Sequence, residues 1–120
     1  MQRIPAENPW EERLGASRAC RRGGVIEVSG TTAPGEDAYA QARDALAGVL
    51  AAVEALGGGA GGVVRTRIFV VDIAANGDDV GRAHSEVFGL VAPACGVYGV
   101  AGLRSPDLLV EIEATARLGE

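Results

Sequence analysis

From Val110 to Ala116 apolar and polar residues alternate without a break. Side chains alternate faces along a strand. Leu108, Val110, Ile112, Ala114 and Ala116 therefore share one apolar face, and Glu111, Glu113 and Thr115 share the other. The two carboxylates stand about 7 Å apart along such a strand. They must face open water, meet positive partners, or line a site.

A half-buried strand needs a second layer. With 120 residues the chain is read as a single domain over 1–120, with residues 1–14 as an N-terminal arm. A chain of this length buries roughly two thirds of its unfolded surface. Only 4% of the residues are aromatic against 48% hydrophobic, so Ala, Val, Leu and Gly must do the packing. Small residues bury little area each, which points to burial at subunit contacts as well.

The formal net charge is −5, and there is no lysine. Arg13, Arg18, Arg21 and Arg22 form the one basic cluster, and it is not interleaved with aromatics. Nucleic-acid binding is therefore disfavoured. Cys20 and Cys95 do not suggest a disulfide framework. With the single histidine they give no metal-ligand spacing. The run Gly57–Gly62 lacks the Lys-Ser/Thr ending of a phosphate loop and precedes a strand. No charged segment leads into an apolar leader, and no apolar run approaches the length of a membrane span. A cytoplasmic protein without membrane contact is expected.

Residues 1–14 read as irregular and Ser17–Arg22 as a short strand. Gly23-Gly24 makes a turn into a strand from Val25 to Ser29. A helix opens near Glu36 or Asp37. It carries Leu46, Val49, Leu50, Val53 and Leu56 on one face, with Gln41, Asp44 and Glu54 elsewhere. Val63–Ile73 is the strongest strand, with Arg65, Arg67, Phe69, Val71 and Ile73 on one face and Val64, Thr66, Ile68 and Val70 on the other. A second helix is expected over Asp78–Phe88, capped by Asn76 or Asp78. Cys95–Ala101 and Leu108–Arg117 complete the order β, β, α, β, α, β, β. Two helices cover one sheet face. The other face asks for a second copy, so a closed homo-oligomer is expected.

The segments Ser17-Arg18-Ala19, Val28-Ser29-Gly30-Thr31, Val64 to Asp72, Pro93-Ala94 and Leu109-Val110-Glu111-Ile112-Glu113-Ala114, in this order and with these gaps, resemble the Rid (YjgF) family of enamine/imine deaminases. The resemblance runs from about Gly15 to Ala116. It implies a chorismate-mutase-like α+β fold with a mixed sheet, a homotrimer with three clefts between subunits, and no metal or organic cofactor. It also implies imine hydrolysis. Deaminating members usually follow Pro-Ala with an arginine that grips the substrate carboxylate; that position here is Cys95. They usually carry a cleft tyrosine where this chain has Ala16. The first glutamate of the closing motif is kept as Glu111, and the 101–108 turn is one residue longer. A family variant with Gly-Tyr-Ser-Arg and Arg-Thr-Arg segments is also similar, and the chain is closer to it.

The candidate catalytic residue is Glu111, holding a water for attack on a C=N bond. Glu113 can raise its pKa by repulsion. The competing reading pairs both glutamates with Arg65 and Arg67. Candidate ligand-binding residues are Arg67 and Arg18 as cations, the Cys95-Gly96 turn as cleft wall, Ala16, and Gly30 for close backbone approach. Against these stand an ion-paired Arg67, a solvated Arg18 and a small buried thiol at Cys95. His84 is read as a surface or half-buried helix residue. Trp10 is read as packing the arm onto the domain, or as a cleft lid. A non-catalytic trimer that binds a metabolite or partner is the alternative to the deaminase. Endoribonuclease activity, a label the family often carries, is disfavoured by the acidic balance.

Overall fold

The alternating segment becomes strand β6, Val110–Arg117, near the centre of a six-stranded sheet. The structure is a computed structural model and describes residues 1–119; Glu120, the last residue of the expected domain, lies outside them. In chain order the elements are β1 (Gln2–Ile4), α1 (Pro9–Leu14), β2 (Ala19–Arg22), β3 (Val25–Thr31) and α2 (Ala38–Ala55). A 3-10 turn (Ala60–Gly62), β4 (Val63–Val71), α3 (Ile73–Phe88), β5 (Ala94–Val100) and β6 follow. The sheet order is β1-β2-β3-β6-β4-β5. Only β4 and β5 pair in parallel, joined through α3; the other pairs are antiparallel. The α+β class with a mixed sheet is as expected.

Helices α2 and α3 cover one face. Val110, Ile112, Ala114 and Ala116 of β6 are fully buried beneath them with Ile68 and Val70 of β4. Ala38, Ala42, Ala45 and Ala52 of α2 are buried beside Leu46, Val49 and Val53. Alanines let the helix lie close to the sheet, which is how a chain poor in aromatics fills its core.

Four expectations are corrected. Residues 1–14 are not irregular: β1 adds an edge strand to β2, and α1 is a capped helix. The second helix starts at Ile73, not Asp78, with Asp72 as its cap. Asp72 takes a left-handed φ of 52° and its side chain accepts from the Ala75 N–H, a conformation Asp tolerates better than a branched residue. Asn76 sits inside the helix and donates from Nδ2 to the Val71 carbonyl. Val64 leaves the apolar face because the β4–β6 register shifts between Val63 and Arg65, which buries Val63 instead.

Gln41 is the fourth. It is buried on α2 with all its polar atoms used. Nε2 donates to the Gly35 and Asp107 carbonyls at 3.2 and 3.0 Å, and Oε1 accepts from the Leu109 N–H at 2.9 Å. One side chain thus ties the loop before α2 to the loop before β6, and both loops border the site.

Candidate functional site

Glu111 points away from the helices, near the start of β6, where its pairing with β3 becomes irregular. The β3–β6 register shifts between Val28 and Thr31, and Gly30 lies in that irregular stretch. A Cβ at position 30 would stand 2.6 Å from Glu111 Oε2 and 2.7 Å from its Cδ. Glycine is what leaves room for the carboxylate there.

Around Glu111 opens a cavity of about 190 Å³, with Gly30, Ala16, Arg18, Trp10 and Arg104 in its wall. Four of the seven sequence-derived site residues, Glu111, Gly30, Ala16 and Arg18, therefore meet in one place. Glu111 makes no ion pair and no side-chain hydrogen bond among the described residues. Burial pushes its pKa above the ordinary carboxylate range. The neighbouring Glu113 pushes it further, and the charges of Arg18 and Arg104 pull part of the way back.

Arg18 is not a solvated arginine. Its Nη1 lies 2.9 Å from Glu11 Oε2, and the two side chains are only 11% and 7% exposed. Nη2 donates to the Gly30 carbonyl at 2.6 Å. Nε has no hydrogen-bond partner among the described residues. The pair fastens α1 over the end of β3. Trp10, also on α1, lies at the cavity wall, 44% exposed, with the Arg13 guanidinium 5.9 Å from its ring centre.

Arg67 lies on the same sheet face but belongs to a different cluster. Its Nε donates to Glu113 Oε1 at 2.7 Å, and Nη2 approaches Glu27 Oε1 at 3.7 Å. Thr115 Oγ1 donates to Glu27 Oε1 at 2.6 Å. Arg65 takes no part in pairing the glutamates: its Nη2 donates to the Tyr98 hydroxyl at 3.1 Å. Tyr98 stacks on Phe69, ring centres 5.6 Å apart.

Cys95 and Gly96 lie on edge strand β5, apart from the Glu111 cavity within one chain. Cys95 is in register with Thr66, whose side chain lies on the helix side, and Gly96 is in register with Arg67. The Cys95 thiol is exposed, not the small buried group of the competing reading. A Cβ on Gly96 would collide with the Tyr98 hydroxyl. His84 is half-buried, its Nε2 2.9 Å from Thr66 Oγ1, and burial lowers its pKa. Among the described residues no group of three His, Cys, Asp or Glu side chains could hold a metal ion. Among the described residues no helix is long and apolar enough to cross a membrane.

Two site residues escaped the sequence reading. Glu11 was announced by Asn8-Pro9-Trp10-Glu11, an N-cap, a proline at the first helical position and an acid at the third; Asn8 Oδ1 indeed accepts from the Glu11 N–H at 2.8 Å. Arg104 sits in the long 101–108 turn. The only signal there was a cation in a turn leading to a carboxylate strand.

A mixed sheet carrying helices on one face, with a carboxylate cavity on the other, defines a YjgF-like domain. The sequence model of the Endoribonuclease L-PSP family matches residues 3–118. An uncharacterised protein of Streptomyces coelicolor is 35% identical over 126 residues, spanning 99% of this chain and 93% of that one. A crystal structure of a YjgF/YER057c/UK114 family member from Mycobacterium tuberculosis is 40% identical, covers 98% of both chains and superposes with a TM-score of 0.93. Escherichia coli TdcF with bound serine is 25% identical, with a TM-score of 0.81 over 99% of this chain and 96% of that one. The chain belongs to the Endoribonuclease L-PSP family, the YjgF/YER057c/UK114 group.

Proposed function

We propose that this protein binds a small metabolite in the Glu111 cavity and hydrolyses a C=N bond there. The observation that carries the reading is the state of Glu111: half-buried, without an ion pair, and raised in pKa. An unpaired carboxylate in a cavity costs folding free energy and is kept where chemistry uses it. The serine in the TdcF structure is a small polar metabolite, consistent with this size of ligand.

The reaction is the addition of water to an imine. The Glu111 carboxylate takes a proton from water as the water oxygen bonds to the imine carbon. The Glu111 carboxyl returns that proton to the nitrogen, and the resulting carbinolamine collapses as its hydroxyl proton passes by way of Glu111 to the amino group. The C–N bond breaks, ammonia leaves, and a carbonyl remains. A carboxyl group with a raised pKa can both take and return that proton.

The working unit is proposed to be a closed homotrimer with ligand clefts between subunits. The sheet face opposite the helices supports this. It leaves Tyr98 43% exposed in the single chain, stacked on Phe69 and hydrogen-bonded by Arg65. In that assembly the Cys95-Gly96 strand of a neighbour would complete the cleft wall. A cysteine at position 95, where deaminating relatives usually carry arginine, favours a second reading, a trimer that binds a metabolite or partner without turnover.

Imines generated by an amino-acid oxidase separate the two. Faster release of the 2-oxo acid, abolished in Glu111→Gln, is the expected result. No acceleration with any of several parent amino acids, together with ligand-dependent thermal stabilisation, favours the binding trimer.

A further inference from the structure

Arg104 is the free cation of the site. It lines the Glu111 cavity, is exposed, and makes no ion pair among the described residues. The other arginine in that wall, Arg18, already has Glu11 and the Gly30 carbonyl as partners. Glu111 and Arg104 thus share one cavity, each uncommitted, and farther apart than an ion pair. A ligand between them meets a proton-accepting group on one side and a guanidinium on the other.

Arg104 has a second face. A larger cavity of about 420 Å³ adjoins it, and Arg104 and Thr32 belong to the walls of both. Ala33, Pro34 and Leu108 give that second cavity an apolar lining. Gln41 at its wall offers no free hydrogen-bonding atom, since its amide is held by Gly35, Asp107 and Leu109. Asp107 contributes the one carboxylate. A second negative charge on a ligand would meet that carboxylate, whereas a hydrocarbon branch would meet methyl and ring carbons.

We infer that Arg104 is the specificity-determining cation and that the ligand is a monocarboxylate with an apolar branch: the carboxylate on Arg104, the reacting carbon beside Glu111, the branch in the cavity lined by Ala33, Pro34 and Leu108. The inference rests on the proposed site, but not on turnover. A planar guanidinium matches a carboxylate with two parallel hydrogen bonds, and an unpartnered exposed arginine loses little on giving up its water.

Titration calorimetry of the full chain with stable 2-oxo acids tests it. The probes are pyruvate, 4-methyl-2-oxopentanoate, 2-oxoglutarate and the uncharged ketone 4-methyl-2-pentanone. The branched acid binds at least about tenfold more tightly than pyruvate, from its buried methyl groups, and more tightly than 2-oxoglutarate. Arg104→Gln weakens both monocarboxylates about tenfold or more and leaves the ketone unchanged. Its thermal unfolding matches wild type, because Arg104 holds nothing in the fold. Equal affinity of Arg104→Gln and wild type for the branched acid, a preference for 2-oxoglutarate, or no binding of either monocarboxylate overturns the inference. Binding that follows Arg104 without any imine hydrolysis sinks the hydrolytic reading alone. Hydrolysis that persists in Arg104→Gln with unchanged KM sinks the role of Arg104 alone.

Discussion

Glu111 and Glu113 are two residues apart on β6 and face the same side of the sheet, yet their surroundings differ. Glu113 stands opposite Arg67 on β4, and the pair is closed at 2.7 Å inside a network that includes Glu27 and Thr115. Glu111 stands opposite Phe69, which offers no charge. On its other side is the bulge of β3 with Gly30, and beyond that a cavity. Pairing register, rather than residue type, separates a paired glutamate from an unpaired one. A strand that places two acids on one face supplies one site only if the neighbouring strands neutralise a single one of them.

Removing each carboxylate in turn should break the symmetry of the sequence most sharply. Glu111→Gln is expected to lower kcat for imine hydrolysis about 10²–10⁴-fold, read by 2-oxo-acid release. Glu113→Gln leaves kcat within a few fold. Equal losses in both would erase the distinction. Next comes Gly30→Ala. The new methyl displaces the flexible end of Glu111, so kcat falls roughly 10²-fold while the melting temperature changes little. A collapse in stability with full activity per folded molecule would show that Gly30 serves the backbone and not the carboxylate.

Stability should rank the two glutamates the other way. Arg67 and Glu113 are about a third exposed, and breaking the pair in Glu113→Gln costs about 0.5–1 kcal/mol in urea unfolding. Glu111→Gln costs nothing at neutral pH and adds stability. The sign follows from the raised pKa. The folded chain holds the Glu111 proton more tightly than the unfolded chain does, so ionising it penalises the fold. That penalty is absent below the ordinary carboxylate range and grows as the pH rises from there to the folded pKa. The stability advantage of Glu111→Gln should therefore appear over that window and level off above it. The smallest effect is on the pH profile of wild-type kcat, which rises through the same raised pKa as the base is freed.

Much of this was legible in the chain because it rests on periodicity. The alternation around Ile112 and the β-branched run around Ile68 fixed the core faces of the two central strands. The pattern of α2 came from its leucines and valines. What escaped depended on exceptions to periodicity or on contacts far apart in sequence. Val64 and Val63 exchange places through a register shift that no local pattern reports. Asp72 starts α3 in a left-handed conformation inside what reads as a continuing strand. Gln41 looks like a solvent residue until the loops around Gly35 and Asp107 close on it. The cavity gathers residues from α1, β3, the 101–108 turn and β6. Glu111 and Gly30 were legible from their motifs, but Arg104 had no partner in sequence to announce it.

The most direct test follows the Glu111 carboxyl carbon by NMR through a pH titration, assigned with Glu111→Gln and repeated in Arg104→Gln. A pKa above the ordinary carboxylate range, rising further when the Arg104 charge is removed, is the predicted result. A pKa at or below the ordinary range, indifferent to Arg104, would mean that Glu111 is solvated or paired, and the separation of the two glutamates would fail.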